Sequence, residues 1–428
     1  MVYKTNSQKK RYNKISLSVI MLVLCVCGFS LLYKNYGESD LKGDITAHDV
    51  GTDAETTIDI TANVEDSTAK LTAQQLQVLK DYALGYANTL AYLEPRDISI
   101  MYADTSSREY AVNKTALEVL IAIRSMRDMD LTLEAAKVEY IVDAVENKGD
   151  TVVVHLKENN TQKFRHLDQP SYSANLYHKF TLIEKDGQWL IKEHYHEEDF
   201  YLLAIEGWED AKGETNAQRG ENALALIVAD AKDNLSDLSQ FQQGAYYTDL
   251  KVSDTSYDRQ RAVDYAQRWW NERNYTSTYL AYDEFGGNCQ NFASQCLYAG
   301  GLKMDHTGTI DNQWKFYSET LNSKQTASGR SYSWTGVDMF YSYAVASYKS
   351  GLVSLTDIDF KYAEKGDVIH VGAYYQWRHA LVITDVLKND DGTVKDIIVA
   401  SNTADRWNYP LSAYIYTAPR LIHILGQN

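Results

Sequence analysis

From Gly366 onward the chain breaks into short apolar runs parted by turn signals: "GDVIHVGA", "HALVITDVLK", "DIIVASN" and "AYIYTA". Runs this short and this rich in β-branched residues read as strands, which need paired edges and a covered face. The stretch before them has helical spacing instead. In "YDRQRAVDYAQRWWNERN", Ala262, Tyr265, Ala266, Trp269 and Trp270 mark one helix face. A helical half followed by an antiparallel half predicts an α+β domain over residues 257–428, with a site where the halves meet.

The earlier chain repeats this logic on a smaller scale. A capping box, Thr72 with Gln75, opens a helix predicted through Leu93 and stopped by Pro95, and a second helix is predicted near Ala116 to Arg127. Alternating runs then surround Gly-containing turns at 148–150 and 185–187. Two helices and a strand meander predict a small α+β domain over residues 72–203, of cystatin-like or nuclear-transport-factor-like shape. Residues 204–256, containing "GENALALIVADAKDNLSDLSQF", are expected to be a helical connector.

At the N-terminus, residues 1–14 form a tail with five Lys or Arg ahead of an uncharged run from Ile15 to Tyr33. Nineteen such residues can just span a bilayer, and the positive flank predicts a cytoplasmic N-terminus with the rest of the chain outside. A single-pass anchor over residues 15–33 is the expectation, with a cleaved signal and a secreted protein as the competing one. Residues 34–71 are rich in Asp, Glu, Thr and Ala and read as an acidic linker. The net charge of −16 argues against a nucleic-acid partner. Beyond Cys25 and Cys27 in the apolar run, only Cys289 and Cys296 remain, too few for a disulfide scaffold.

Both of those cysteines lie in "GGNCQNFASQCLYAGG". Asn288 is a favoured helix N-cap after a Gly pair able to turn, so Cys289 is expected at the first helical position, where free N–H groups favour a thiolate. Cys296 falls on the same face but about 10 Å further along, too far for a bridge, and is read as a core residue. A nucleophilic Cys289 needs a base. His379 opens the strand "HALVIT", and the turn "NDDGT" sets it within one or two residues of Asn402 across a hairpin. Cys289, His379 and Asn402 thus follow the nucleophile, base and orienter order of cysteine hydrolases. Asp405 is a second possible orienter, and Asp385 sits too far along the strand. Tyr282 is the expected oxyanion donor.

Six segments carry a resemblance: "YDRQRAVDYAQRWWNERN", "GGNCQNFASQCLYAGG", "YSWTGVDMF", "KGDVI", "WRHALVIT" and "SNTADRWNYPLS". In this order they resemble the putative amidase domain family of Gram-positive bacteria, related to NlpC-type and CHAP domains. The resemblance implies a papain-like fold over residues 257–428, with Cys289 as nucleophile, His379 as base and Asn402 as the third polar position. It implies amide hydrolysis, with peptidoglycan peptides as substrate and no metal or organic cofactor. Two positions depart from the family pattern. Asn288 stands where Asp is usual, and Asn402 where His is frequent.

Those departures keep a rival reading open, a membrane-tethered binding or scaffold protein with a degenerate papain-like domain. The segment "HYHEED", His194 to Asp199, invites a metal reading, but its three acidic residues are expected to make a solvated strand end instead.

Overall fold

The computed structural model describes residues 58–239, 250–274, 279–283, 286–307, 309, 313–316, 330–346, 350–374 and 376–428. The basic tail and the apolar run of residues 15–33 lie outside the described residues. Among the described residues no helix is long and apolar enough to cross a membrane.

The first region begins with strand β1 (Asp59–Asp66), followed by helices α1 (Ala73–Tyr92) and α2 (Arg108–Ser125). Strands β2 (Leu133–Lys148), β3 (Thr151–Phe164), β4 (Ser171–Lys185) and β5 (Gln188–His196) form an antiparallel meander. Helices α3 (Asp199–Asp210) and α4 (Asn216–Ser239) follow. The second region carries α5 (Arg259–Trp269), α6 (Cys289–Ala299), the short α7 (Tyr332–Thr335) and α8 (Val337–Ala346). Its strands are β6 (Leu352–Thr356), β7 (Val368–Ala373), β8 (Gln376–Lys388), β9 (Val394–Ser401), β10 (Asp405–Pro410) and β11 (Ala418–Gln427). The class is therefore α+β with a largely antiparallel sheet.

The two regions share that sheet, in the order β1-β2-β3-β4-β10-β9-β8-β7-β11-β6, with β5 paired to β4 off this path. The join is β4 against β10: Asp405 pairs with Ala174, Arg406 with Ser173 and Trp407 with Tyr172. One apolar cluster runs from α1 and α2 across the join to Leu381, Ile383, Val399 and Tyr414. A second lies on the other side of β8, where Ala380 and Val382 pack with Cys289, Phe292 and Leu297.

Several local expectations meet the structure directly. Thr72 and Gln75 make both bonds of the capping box, and α1 ends at Leu93 in a left-handed conformation. Others need correction. Residues 59–66, expected within the acidic linker, pair in parallel with β2 because Ile60, Ala62 and Val64 alternate inward along an otherwise polar strand. The Asp66 carboxylate then accepts from the N–H groups of Thr68, Lys70 and Leu71, turning the chain into α1. The run "AYIYTA" is not a strand but leads into β11, and β6 and β10 lie outside the four runs read as strands.

The largest correction concerns "HYHEED". His194, His196, Glu198 and Asp199 are buried rather than solvated. The imidazoles of His178, His194 and His196 stack with centroids 4.7 to 5.3 Å apart. Buried neighbours supply the reason. Arg124 donates to Gln162, Gln162 to Asn160 and Asn160 to Glu158, whose Oε2 lies 3.0 Å from His178 Nε2. Arg406 from β10 closes the far end on Glu198 and Asp199, at 3.3 and 2.6 Å. Among the described residues no group of three His, Cys, Asp or Glu side chains could hold a metal ion.

Candidate active site

The loop before α6 is tied by its backbone and by one asparagine. Gly286 and Gly287 hold φ of 100° and 118°, conformations that a side chain would strain. Gly287 N–H donates to Tyr282 O at 3.2 Å. The Asn288 backbone N–H donates to Thr403 Oγ1 at 2.6 Å, and its Oδ1 accepts from Tyr282 N–H and Asn291 Nδ2. Asn288 occupies the N-cap position of α6, yet its side chain bonds no helix N–H. Its backbone is αR (φ −107°, ψ −2°), whereas a capping side chain needs an extended residue to fold back over the first turn.

The missing cap has a chemical consequence. The backbone N–H groups of Ala380 on β8, of Gln290 and of Cys289 itself favour the thiolate. Burial opposes them and wins. Desolvation pushes the Cys289 thiol up to about 11, with the Asp199 charge adding to the rise. The dry environment therefore opposes the thiolate expected at the helix start. Cys296 is wholly buried two turns deeper, and burial raises its thiol well above the usual range. Neither cysteine is in a disulfide.

His379 lies on β8 opposite Val371, and paired residues share a side of the sheet. Its imidazole therefore faces the side of Leu381 and Ile383, with its centroid 6.3 Å from that of Tyr414, while Ala380 faces Cys289. Burial pushes the imidazole down to about 4; Asp199 raises it and Arg406 lowers it. Its Nε2 is buried without a hydrogen-bond partner. Among the described residues no hydrogen bond joins His379 to Cys289 or to Asn402.

Continuing the pairing of Val382 with Ala400 sets His379 opposite Thr403, one residue from Asn402. The Asn402 side chain nevertheless turns elsewhere. Its Nδ2 donates to the carbonyls of Trp269, Trp270 and Glu272, each at 3.1 Å, and its Oδ1 accepts from Asn288 Nδ2 at 2.6 Å. Three carbonyls at the end of α5 take up both amide hydrogens, so Asn402 fixes loop to helix and does not orient the imidazole. Asp405 is occupied as well, by Arg273 at 3.0 Å, Asn175 at 2.9 Å and the Thr403 N–H at 2.9 Å. Tyr282 is buried with the Arg330 guanidinium 4.9 Å from its ring centroid.

Two features escaped the sequence. Gln290, fully buried beside the nucleophile candidate, accepts from His370 Nε2 at 2.9 Å. The tautomer follows, because His370 Nδ1 accepts from Arg420, which cannot itself accept. The other feature is the Asp199 and Arg406 pair near His379. Neither has a local signal, since the partners lie 80 and 207 positions apart in the chain.

Residues 256–425 match the family model described as "Putative amidase domain", in agreement with the resemblance read over residues 257–428. An uncharacterized protein of Bacillus subtilis (strain 168), YhbB, is 28% identical over 232 residues, covering 53% of this chain. The alignment spans 63% of that protein's length. No solved structure matches the chain significantly. At the coarse level these findings support a hydrolase-type domain.

Proposed function

We propose that the second region is a papain-like cysteine amidase or peptidase, with Cys289 as nucleophile and His379 as general base. The observation that carries this is a thiol at the start of α6 that packs in one cluster with Ala380 of β8, the residue that follows His379.

Thiol and imidazole are both neutral in the closed, dry state, so the pair works by proton transfer rather than as a standing ion pair. The mechanism requires the imidazole, which faces the Tyr414 side of β8, to turn toward the sulfur and take the thiol proton. The thiolate then attacks the amide carbonyl carbon, and the backbone N–H groups hold the oxyanion. Collapse breaks the C–N bond, and the imidazolium gives its proton to the leaving amine. A water, deprotonated by His379, attacks the thioester, and C–S cleavage releases the acid and restores the thiol. Asn402 and Asn288 hold the loop that presents Cys289.

Peptidoglycan peptides are the proposed substrate class and the outer face of the membrane the proposed location, anchored by residues 15–33. The resemblance read over residues 257–428 suggests the first, and the basic flank with its apolar run the second. The test is a digest of purified peptidoglycan, and of stem peptides, read by mass. Cleavage lost in Cys289→Ala and reduced at least about a thousandfold in His379→Ala is expected. A product unchanged in Cys289→Ala would refute the reading.

The second reading is a non-catalytic scaffold, favoured by the commitment of Asn402 to α5 and by the raised thiol. It requires that alkylation of Cys289 near neutral pH be no faster than that of a free thiol and indifferent to His379→Ala.

A further inference from the structure

The helix that leaves the first region is pinned to the second on both sides of His379. Asp199 and Glu206 stand seven residues apart on α3, two turns along one face. Glu206 Oε1 accepts from Nη1 of Arg378, the residue before His379, at 2.6 Å. Asp199 Oδ2 accepts from Nη1 of Arg406 at 2.6 Å. Arg406 is itself held by backbone pairing to Ser173 of β4 and Ser401 of β9, so its position is shared by both regions. Its guanidinium lies 4.7 Å from the centroid of Tyr414, the ring against which His379 packs.

Of the two carboxylates on Arg406, Glu198 is also taken by the Tyr86 hydroxyl at 3.0 Å. Asp199 is the carboxylate whose charge is felt at both His379 and Cys289. The other charged or titratable groups near the imidazole are Arg406 on β10, Arg378 on its own strand with Glu206 behind it, His370 on β7, and Tyr414.

We propose that Asp199, supplied by the first region, is a positioning residue for His379, setting the orientation and charge environment of the imidazole through Arg406. Residues 257–428 alone then lack part of their own site. The proposal rests on the Cys289 and His379 reading above.

The test is the pH dependence of Cys289 alkylation by iodoacetamide in the full chain, mapped by mass, for wild type, Asp199→Asn and Asp199→Glu. Removing a negative charge destabilises the imidazolium, so Asp199→Asn moves the His379-dependent limb down by about one pH unit. It also slows modification at neutral pH about tenfold through lost orientation, and Asp199→Glu restores most of both. A limb in Asp199→Asn that superimposes on wild type overturns the proposal. Should Asp199→Asn fail to fold, Asp199→Ser, a smaller neutral residue that leaves Arg406 paired with Glu198, is read in the same way, and the same shift or the same superposition decides. Failure of the underlying reading looks different: the limb then survives in His379→Ala.

Discussion

Beside the apolar cluster that they share, the two regions bury different things. Behind β3, β4 and β5 the first region encloses a polar chain from Arg124 through Glu158 to the stacked histidines, closed by Arg406. Around α6 the second region encloses Phe292, Leu297, Trp334 and Phe340 with the thiols of Cys289 and Cys296. A dry apolar core gains stability from each buried methylene. A buried polar chain gains little net stability but tolerates no missing member, because each loss leaves a group without its partner. The polar interior therefore specifies one arrangement, and the arrangement it specifies includes the surroundings of His379.

The sharpest way to break this contrast is Arg406→Ala. It leaves Glu198 and Asp199 unpaired in the interior and is expected to cost about 4 kcal/mol in denaturant unfolding, more than the double variant that also removes Asp199. Leu297→Ala, in the apolar core, is expected to cost about 3 kcal/mol by loss of transfer energy and by the cavity left behind. Equal losses for Arg406→Ala and for its double variant would remove the distinction between the two interiors.

Acidification probes both regions together. Burial first holds His194, His196 and His370 well below the ordinary imidazole value and His379 at about 4. Each contributes stability above its unfolded pKa that is lost as pH falls through the folded one, so the unfolding midpoint should drop between pH 6.5 and about 4. Glu198 has the opposite sign. Burial raises it to about 7, so its contribution is lost as pH rises through that value. Thermal unfolding from pH 4 to 8 should therefore show a maximum, and a Glu198→Gln variant should lose less on the alkaline side. The smallest expected effect is Thr72→Ala, about 1 kcal/mol from loss of the α1 cap, with amide exchange rising in the first turn alone.

Legibility followed the range of the interaction. The capping box at Thr72, the hairpin turns at 148–150 and 185–187, the helix start at Cys289 and the strand start near His379 each rest on residues a few positions apart. Strand β1 was hidden because its alternation is carried by only three apolar residues among acids. "HYHEED" misled because its acidic residues look solvated until Arg406, more than 200 positions later, is seen to meet them.

The candidate site divides along the same line. Sequence alone determined that a thiol opens a helix with unpaired N–H groups, that a histidine opens a strand, and that one hairpin brings Asn402 near that histidine. These are matters of backbone hydrogen bonding over one turn or one ladder. Only the tertiary structure decided that Asn402 is taken by the end of α5, that burial outweighs the helix start at Cys289, and that Asp199 of the first region holds Arg406 against Tyr414, the ring beside His379. Desolvation and buried charge depend on everything packed around a group, and no short stretch of sequence contains that surrounding.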